Sequence, residues 1–313
     1  MSRRDGLPIL AAFAAVYLVW GSTFLAIRYA VETIPPFTMM ALRCLLGGSI
    51  LLAVSRVREP GAAWPSARQW TGATVLGMLF FVSCHGLLAR EEQYVPSGIA
   101  ALCLATIPLF VPLLAWALTG SGRPTARTAG ALVAGFAGVA MLVAAQGSGG
   151  GLSVTDAALL LLTSLSWAAG TVATRLLPVP DAPMTSAAAS LLAGAAVLAV
   201  IAAASGDAAR LHPADVTLRS AAGLAYLVIL GTVVTFSAFV WVLRHVPPAR
   251  VATYAFVNPV VAVLLGWAVG DQSMNAGTAL ATSVIVAAVA VAVTDRAPQP
   301  APRRPMAATS EPV

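Results

Sequence analysis

The stretch "YLVWGSTFLAIRYAVETIPPFTMMALR", residues 17–43, holds an apolar run that closes on Arg28 and a second that opens after Pro35 and Pro36. Its frame returns later in the chain. "WGSTFLAIR" from Trp20 and "WAAGTVATR" from Trp167 each set a tryptophan eight residues before an arginine, at an offset of 147. The same offset carries Pro36 onto Pro183, Thr38 onto Thr185 and Gly47 onto Gly194. Agreement that survives a loop and enters the next apolar segment reads as an internal repeat.

Of the 313 residues, 59% are hydrophobic and 10% charged. A water-soluble domain carries about a quarter charged residues, so the excess apolar sequence is expected to face lipid. Cys44, Cys84 and Cys103 lie inside apolar segments without metal-ligand or CxxC spacing and read as buried, inert thiols. The net charge of +6 comes from arginine without lysine, and a membrane explains it better than nucleic acid does. The start "MSRRDGLPILAAFAAVYLVWGSTFLA" runs longer than a signal-peptide core and reads as the first spanning helix.

About 20 mostly apolar residues cross a bilayer. Ten segments fit: 7–27, 37–54, 70–89, 97–118, 128–145, 155–175, 184–204, 220–243, 250–269 and 276–294. The expected fold is therefore an all-α integral membrane protein of ten helices. The tail "DRAPQPAPRRPMAATSEPV" is expected to be disordered. With the N-terminus inside, thirteen arginines fall at cytoplasmic ends and loops, four (Arg28, Arg90, Arg210, Arg219) fall outside, and Arg43 stays inside a span. That bias places both termini in the cytoplasm. "VPSGIAALCLATIP" from Val95 matches "VPPARVATYAFVNP" from Val246 at an offset of 151, which also sets Trp116 on Trp267. Each repeat then holds five spans, and an odd number inverts the second copy. The expected units are 1–146, an inverted 152–294 and a cytoplasmic tail 295–313. Inverted repeats point to alternating access around a midplane site.

The motifs "WGSTFLAIRYAVETIPPFTMMALR", "EEQYVPSGIAALCLATIPLF" and "PPARVATYAFVNPVVAVLLGWAVGD" resemble the EamA-type branch of the drug/metabolite transporter superfamily, over residues 7 to about 294. "EQYVPSG" resembles its subgroup of inner-membrane exporters. The resemblance implies five-plus-five inverted topology, a central cavity from spans 1–4 and 6–9, and export of small organic solutes such as amino acids, metabolites or drugs. Two departures stand out: "SCHG" with His85 in the third span, and Gly120–Ser121 and Gly270–Asp271 where the family commonly has glycine-glutamate.

Arg43, mid-span, costs about 2.5–3.5 kcal/mol on insertion scales and asks for a partner, either a substrate carboxylate or phosphate or a structural acid. Glu92, with Gln93 beside it in the motif, is a candidate for binding an amine or carrying protons, against a solvated loop acid; Glu91 reads as the solvent-facing member. His85 is a candidate proton relay or a packed, hydrogen-bonded histidine. Trp20 and Trp167 are assigned to cavity walls, Trp116 and Trp267 to the interfacial belt. Ser22, Thr23, Tyr254 and Asn258 bring polar groups to a site or to helix packing. Pro108 and Pro259 interrupt spans 4 and 9 and are the expected hinges. Gly130, Ala134 and Gly138 suit close packing within the chain or in a homodimer.

A membrane-embedded enzyme would need a GxSG serine, an HExxH pair or a DxxxD cluster, and none of these motifs occurs. A structural or signalling subunit would bring a soluble domain. With no GxxxxGK[ST] loop, the expected drive is an ion or proton gradient or the solute's own. No cofactor, metal or nucleic acid is expected.

Overall fold

In the computed structural model the described residues, 3–120, 122–146, 152–246, 251, 253–270 and 275–295, form helices and turns without a strand. The tail 296–313, the loop at Gly150, Ser121, Pro247, Arg250 and Asp271 lie outside the described residues. Among those described, nine helices are long and apolar enough to cross a membrane: α1 Leu7–Ala30, α2 Pro36–Arg58, α3 Ala67–Glu91, α4 Ser97–Thr119, α5 Ala126–Ala145, α6 Val154–Ala173, α7 Pro183–Ala204, α8 Leu218–Val242 and α10 Ala276–Thr294. The expected span over 250–269 is shorter. It forms α9, Tyr254–Ala268, because Thr253 is a turn. Its 15 residues reach only about 22 Å at the helical rise of about 1.5 Å per residue.

The helix starts follow local chemistry. Ser66 caps α3 through Gln69 N and Thr217, 151 residues on, caps α8 through Ser220 N. Ser153 with Asp156 forms a capping box on α6. Helix starts recur at the two sequence offsets as well: α7 opens 147 residues after α2, and α8 opens 151 residues after α3. Wide π-helical turns occupy Met78–Gly86 in α3 and Leu227–Val234 in α8, and a shorter one Ala15–Val19 in α1.

Side-chain ties separate the two ends of the bundle. One end, here the terminal face, carries the start of α1 and the end of α10. There Asp295 accepts hydrogen bonds from Thr125 and Thr128, tying α5 to α10. Asp295, counted in the expected tail 295–313, is thus structured. Those two hydroxyls hold its carboxyl below the usual range. At the opposite face Arg219 grips Glu32 with two hydrogen bonds of 2.9 and 2.8 Å.

The antiparallel pair α2 and α7 packs along its length and is capped crosswise. Pro35 and Ala182, at the N-cap positions, offer no side-chain acceptor. The partner helix supplies it instead. Glu59, just past the end of α2, accepts from Met184 N (2.9 Å), Thr185 N (3.1 Å) and Thr185 Oγ1 (3.0 Å) on the terminal face. Asp207, past the end of α7, accepts from Thr38 N (2.9 Å) and Thr38 Oγ1 (3.1 Å) on the opposite face. Carboxylates at helix N-termini gain from the unpaired N–H groups and the dipole. Asp207 is also ion-paired with Arg210.

Glycines let these helices touch. A Cβ at Gly47 of α2 would stand 2.9 Å from Thr232 of α8, and one at Gly194 of α7 would stand 3.1 Å from Phe81 of α3. These pairs are related by the 147 and 151 offsets. A second related set has exchanged sizes: Thr23 Cγ2 lies 3.0 Å from the Cβ position of Gly231, whereas Gly170 makes room for the Phe80 ring at 2.5 Å. At Gly77 a Cβ would meet the α7 backbone, Gly194 N and Ser190 O, at 2.7 Å each. Gly77→Ala is therefore expected to destabilise the protein by about 1–3 kcal/mol, read as a lowered melting temperature in detergent. In the expected α5 stripe, Gly138 abuts Ile285 of α10, but nothing lies within 4 Å of a Cβ at Gly130.

Large apolar side chains such as Leu45, Val133, Val200, Leu264 and Leu280 point outward, as a lipid-facing surface requires. Met39, Leu102, Leu160, Leu198, Leu227 and Ile285 fill the centre.

Candidate solute-binding site

The π-helical turn of α8 brings two predicted residues to one place. Trp20 Nε1 donates to Gly231 O at 3.1 Å, and Arg43 Nε reaches Thr232 Oγ1 at 3.4 Å. Such wide turns, which free backbone from the usual register, recur at functional sites. Trp20 also packs its ring 5.4 Å from Tyr254 and 5.2 Å from Phe239. In the other half Trp167 packs 4.6 Å from Phe80 and 5.1 Å from His85, whose ring stacks on Phe81. Two aromatic clusters thus stand around related tryptophans. Both tryptophans are half-buried, whereas Trp116 and Trp267 are 42% and 58% exposed near helix ends, where an interfacial belt sits.

Arg43 lies between these clusters. It is buried in α2, within electrostatic reach of Glu92, His85 and Cys84, and its Nη1 has no hydrogen-bond partner. Glu92 is fully buried in the turn after α3, and neither carboxylate oxygen has a partner. Arg28 donates to its main-chain carbonyl rather than to the carboxylate. Burial pushes the Glu92 carboxyl well above the usual range, against the pull of Arg28 and Arg43. Asn258, in α9, has Oδ1 buried and unpaired as well. Among the described residues the other unpaired buried side-chain atoms belong to Arg56, near the end of α2. Buried polar groups are ordinarily satisfied, and Arg43, Glu92 and Asn258 are the sequence candidates whose buried side-chain atoms are left without a partner.

The remaining predicted residues divide. Ser22 Oγ bridges to Tyr226 at 2.6 Å, joining α1 to α8. Thr23 Oγ1 donates to Trp20 O in its own helix, and Gln93 Nε2 reaches Val31 O at 3.5 Å. His85 is hydrogen-bonded through Nδ1 to Phe80 O at 2.9 Å and packed between rings. Glu91 departs from expectation: it is 1% exposed, paired with Arg90 at 2.8 Å. The turn folds both acids inward, Glu91 under an arginine and Glu92 without a partner. Pro108 also sits differently. α4 is already broken at Ala105–Thr106, and Pro108 occupies the first turn of the segment Ile107–Thr119, where an N–H has no helical partner to lose. The Cys103 carbonyl at the break accepts from Thr106 N, Thr106 Oγ1 and Ser164 Oγ of α6. Pro259 lies inside α9, as expected. Sequence reasoning missed Arg28, Thr232, Phe80 and Phe239. Arg28 carried the one available signal, its place in the repeat frame, while the others are ordinary apolar-span residues.

Among relatives, the uncharacterized inner membrane transporter YedA of Escherichia coli K12 is 37% identical over 292 residues, 92% of each chain. The uncharacterized transporter YvbV of Bacillus subtilis is 30% identical over 164 residues, 52% of each chain. A solved crystal structure shares the fold with a TM-score of 0.62 at 24% identity, covering 93% of this chain and 97% of that one. The EamA-like transporter family matches twice, over 7–144 and 156–294. An all-helical apolar bundle with Arg43 buried inside a span and these two matches in tandem makes the chain a multi-pass membrane transporter that belongs to the EamA-like transporter family.

Proposed function

We propose that the protein is a secondary transporter that exports small organic solutes, such as amino acids, metabolites or drugs, by alternating access between two inverted five-helix repeats in the cytoplasmic membrane. The observation that carries this reading is the set of unpaired buried polar atoms on Arg43, Glu92 and Asn258 inside an apolar bundle. Ionisable groups at membrane depth are expensive and mark solute or ion paths. The paired starts of α2 with α7 and of α3 with α8, and the tandem family matches, support units 1–146 and 152–294 as the two repeats. The outward direction rests on the "EQYVPSG" resemblance alone.

In this reading Trp20, Trp167 and Tyr254 wall the path, Arg43 and Asn258 bind solute, and Ser22, Thr23 and Gln93 hold helices around it. Glu92 binds a cation or carries the coupling proton, and His85, also within electrostatic reach of Arg43, is a second proton carrier. The open small-residue position at Gly130 leaves α5 available to a second copy. Solute flux into liposomes holding the purified protein, with candidate amino acids, drugs and sugars and with or without a pH gradient, tests the reading. Flux of none of them under either condition would reject it.

The arginine bias predicts two cytoplasmic termini and opposite sides for the loops near Arg68 and Gly150. Reporter fusions at those two loops are expected to give opposite signals. The same signal from both would defeat the inverted topology.

A further inference from the structure

The crossed caps on α2 and α7 bear on which parts of the protein move. We propose that α2 and α7 form one invariant spindle, capped at both faces throughout the transport cycle, and that the other helices rearrange about it. The two sequence halves, 7–145 and 154–294, are then not the two moving bodies. The inference rests on the transporter reading above.

Each cap joins one half to the other. Glu59 of the first half holds Met184 and Thr185 of the second, and Asp207 of the second holds Thr38 of the first. Rocking one half against the other would pull apart the cap on whichever face opened. It would strand a carboxylate and the helix N–H groups it serves, and such charge-assisted bonds are the strong ones. Yet both caps are closed in a structure whose faces differ. On the terminal face a cavity of about 320 Å³ opens between α2, α7 and α8, lined by Val54, Arg58, Glu59, Met184, Ser237 and Trp241. It lies directly beside the closed Glu59 cap.

On the opposite face the residues related to Met184 and Ser237 pack against each other. The offsets relate Met184 to Phe37 and Ser237 to Gly86. Phe37 Cδ1 and Leu198 Cδ2 stand 3.6 and 3.2 Å from the Cβ position of Gly86. The faces therefore differ where α8 and α3 meet the spindle, and not at its caps. Both α3 and α8 carry π-helical turns, the kind of irregularity at which helices bend.

The test locks the spindle covalently. In a background with Cys44, Cys84 and Cys103 changed to alanine, Thr38→Cys with Asp207→Cys and Glu59→Cys with Thr185→Cys replace the two caps by disulfides, singly and together. Nitroxides on ketone-bearing residues introduced at Arg68 and His245 report the terminal face by double electron–electron resonance in nanodiscs, and others at Tyr94 and Leu218 report the opposite face. The reduced form of each chain is its own folding reference. The expected result is that both distance components seen at each face in the reduced protein persist with both disulfides closed. Loss of a component on closing either disulfide overturns the proposal. A single distance at both faces in the reduced protein defeats the alternating-access reading, and the spindle with it.

Discussion

Glu92→Gln is expected to raise the melting temperature by a few degrees at alkaline pH, to leave it unchanged at acid pH, and to flatten the pH dependence of transport. Both oxygens of Glu92 are buried without partners, and burial raises its carboxyl well above the usual range. A carboxyl raised on folding contributes full stability below its unfolded pKa, and that stability is lost as pH rises through the folded pKa. A neutral glutamine keeps the shape and removes the titration, so wild type and variant part only on the alkaline side. In liposomes the same change is expected to cut flux about tenfold to a hundredfold if the carboxylate holds a cationic solute, the factor a charged hydrogen bond of about 1.5–3 kcal/mol supplies. If Glu92 carries protons, flux persists but no longer responds to a pH gradient. Glu91→Gln breaks the Arg90 pair and alters the contact with Asp156, and is expected to leave the response of transport to a pH gradient intact. Equal, wild-type profiles in both variants would remove Glu92 from the site.

Single-turnover flux and cysteine-probe accessibility are expected to shift in Pro259→Ala, and in Pro108→Ala once Ser164→Ala is added, by different routes. Pro259 lies inside α9, so alanine restores an N–H one turn below the Ala255 carbonyl and stiffens the helix. Slower exchange between inward and outward accessibility, by roughly tenfold, is expected with a protein at least as stable. Pro108 lies just past a break that Ser164 and Thr106 already satisfy at Cys103. Alanine there lets α4 run on toward Ala105, and the same slowing appears only if Ser164→Ala is added to release that carbonyl. Unchanged kinetics in all of these variants would deny the prolines a hinge role.

The membrane-spanning fold was legible because length and apolar character fix a spanning helix with few competing solutions. Expected and observed limits of α2, α4, α7 and α10 agree within a few residues. The start of α9 was not, since it depends on a turn at Thr253 rather than on composition. The break in α4 was hidden for a related reason: Ser164, 61 residues from Cys103, completes it. In the site, the cost of burial singled out Arg43 from sequence alone. Adjacent Glu91 and Glu92 could not be told apart by composition, because the fold of one turn decides which of them meets Arg90. Glu59 and Asp207 carry no local signal of their capping role, because each serves a helix more than a hundred residues away.

The exchanged sizes at Thr23 with Gly231 and Gly170 with Phe80 bear on the ancestry of the chain. Under the repeat reading, a protein made of two copies of the first half would bring the Phe80 ring against Thr23, where Gly231 now leaves room. Two copies of the second half would set Gly170 against Gly231 and leave a void at the same depth. Neither half, on that reading, can replace the other without repacking this contact. On that reading the two halves have diverged at the level of single side chains, and proteins joined from two copies of one half are expected to lose about 1–3 kcal/mol at this contact.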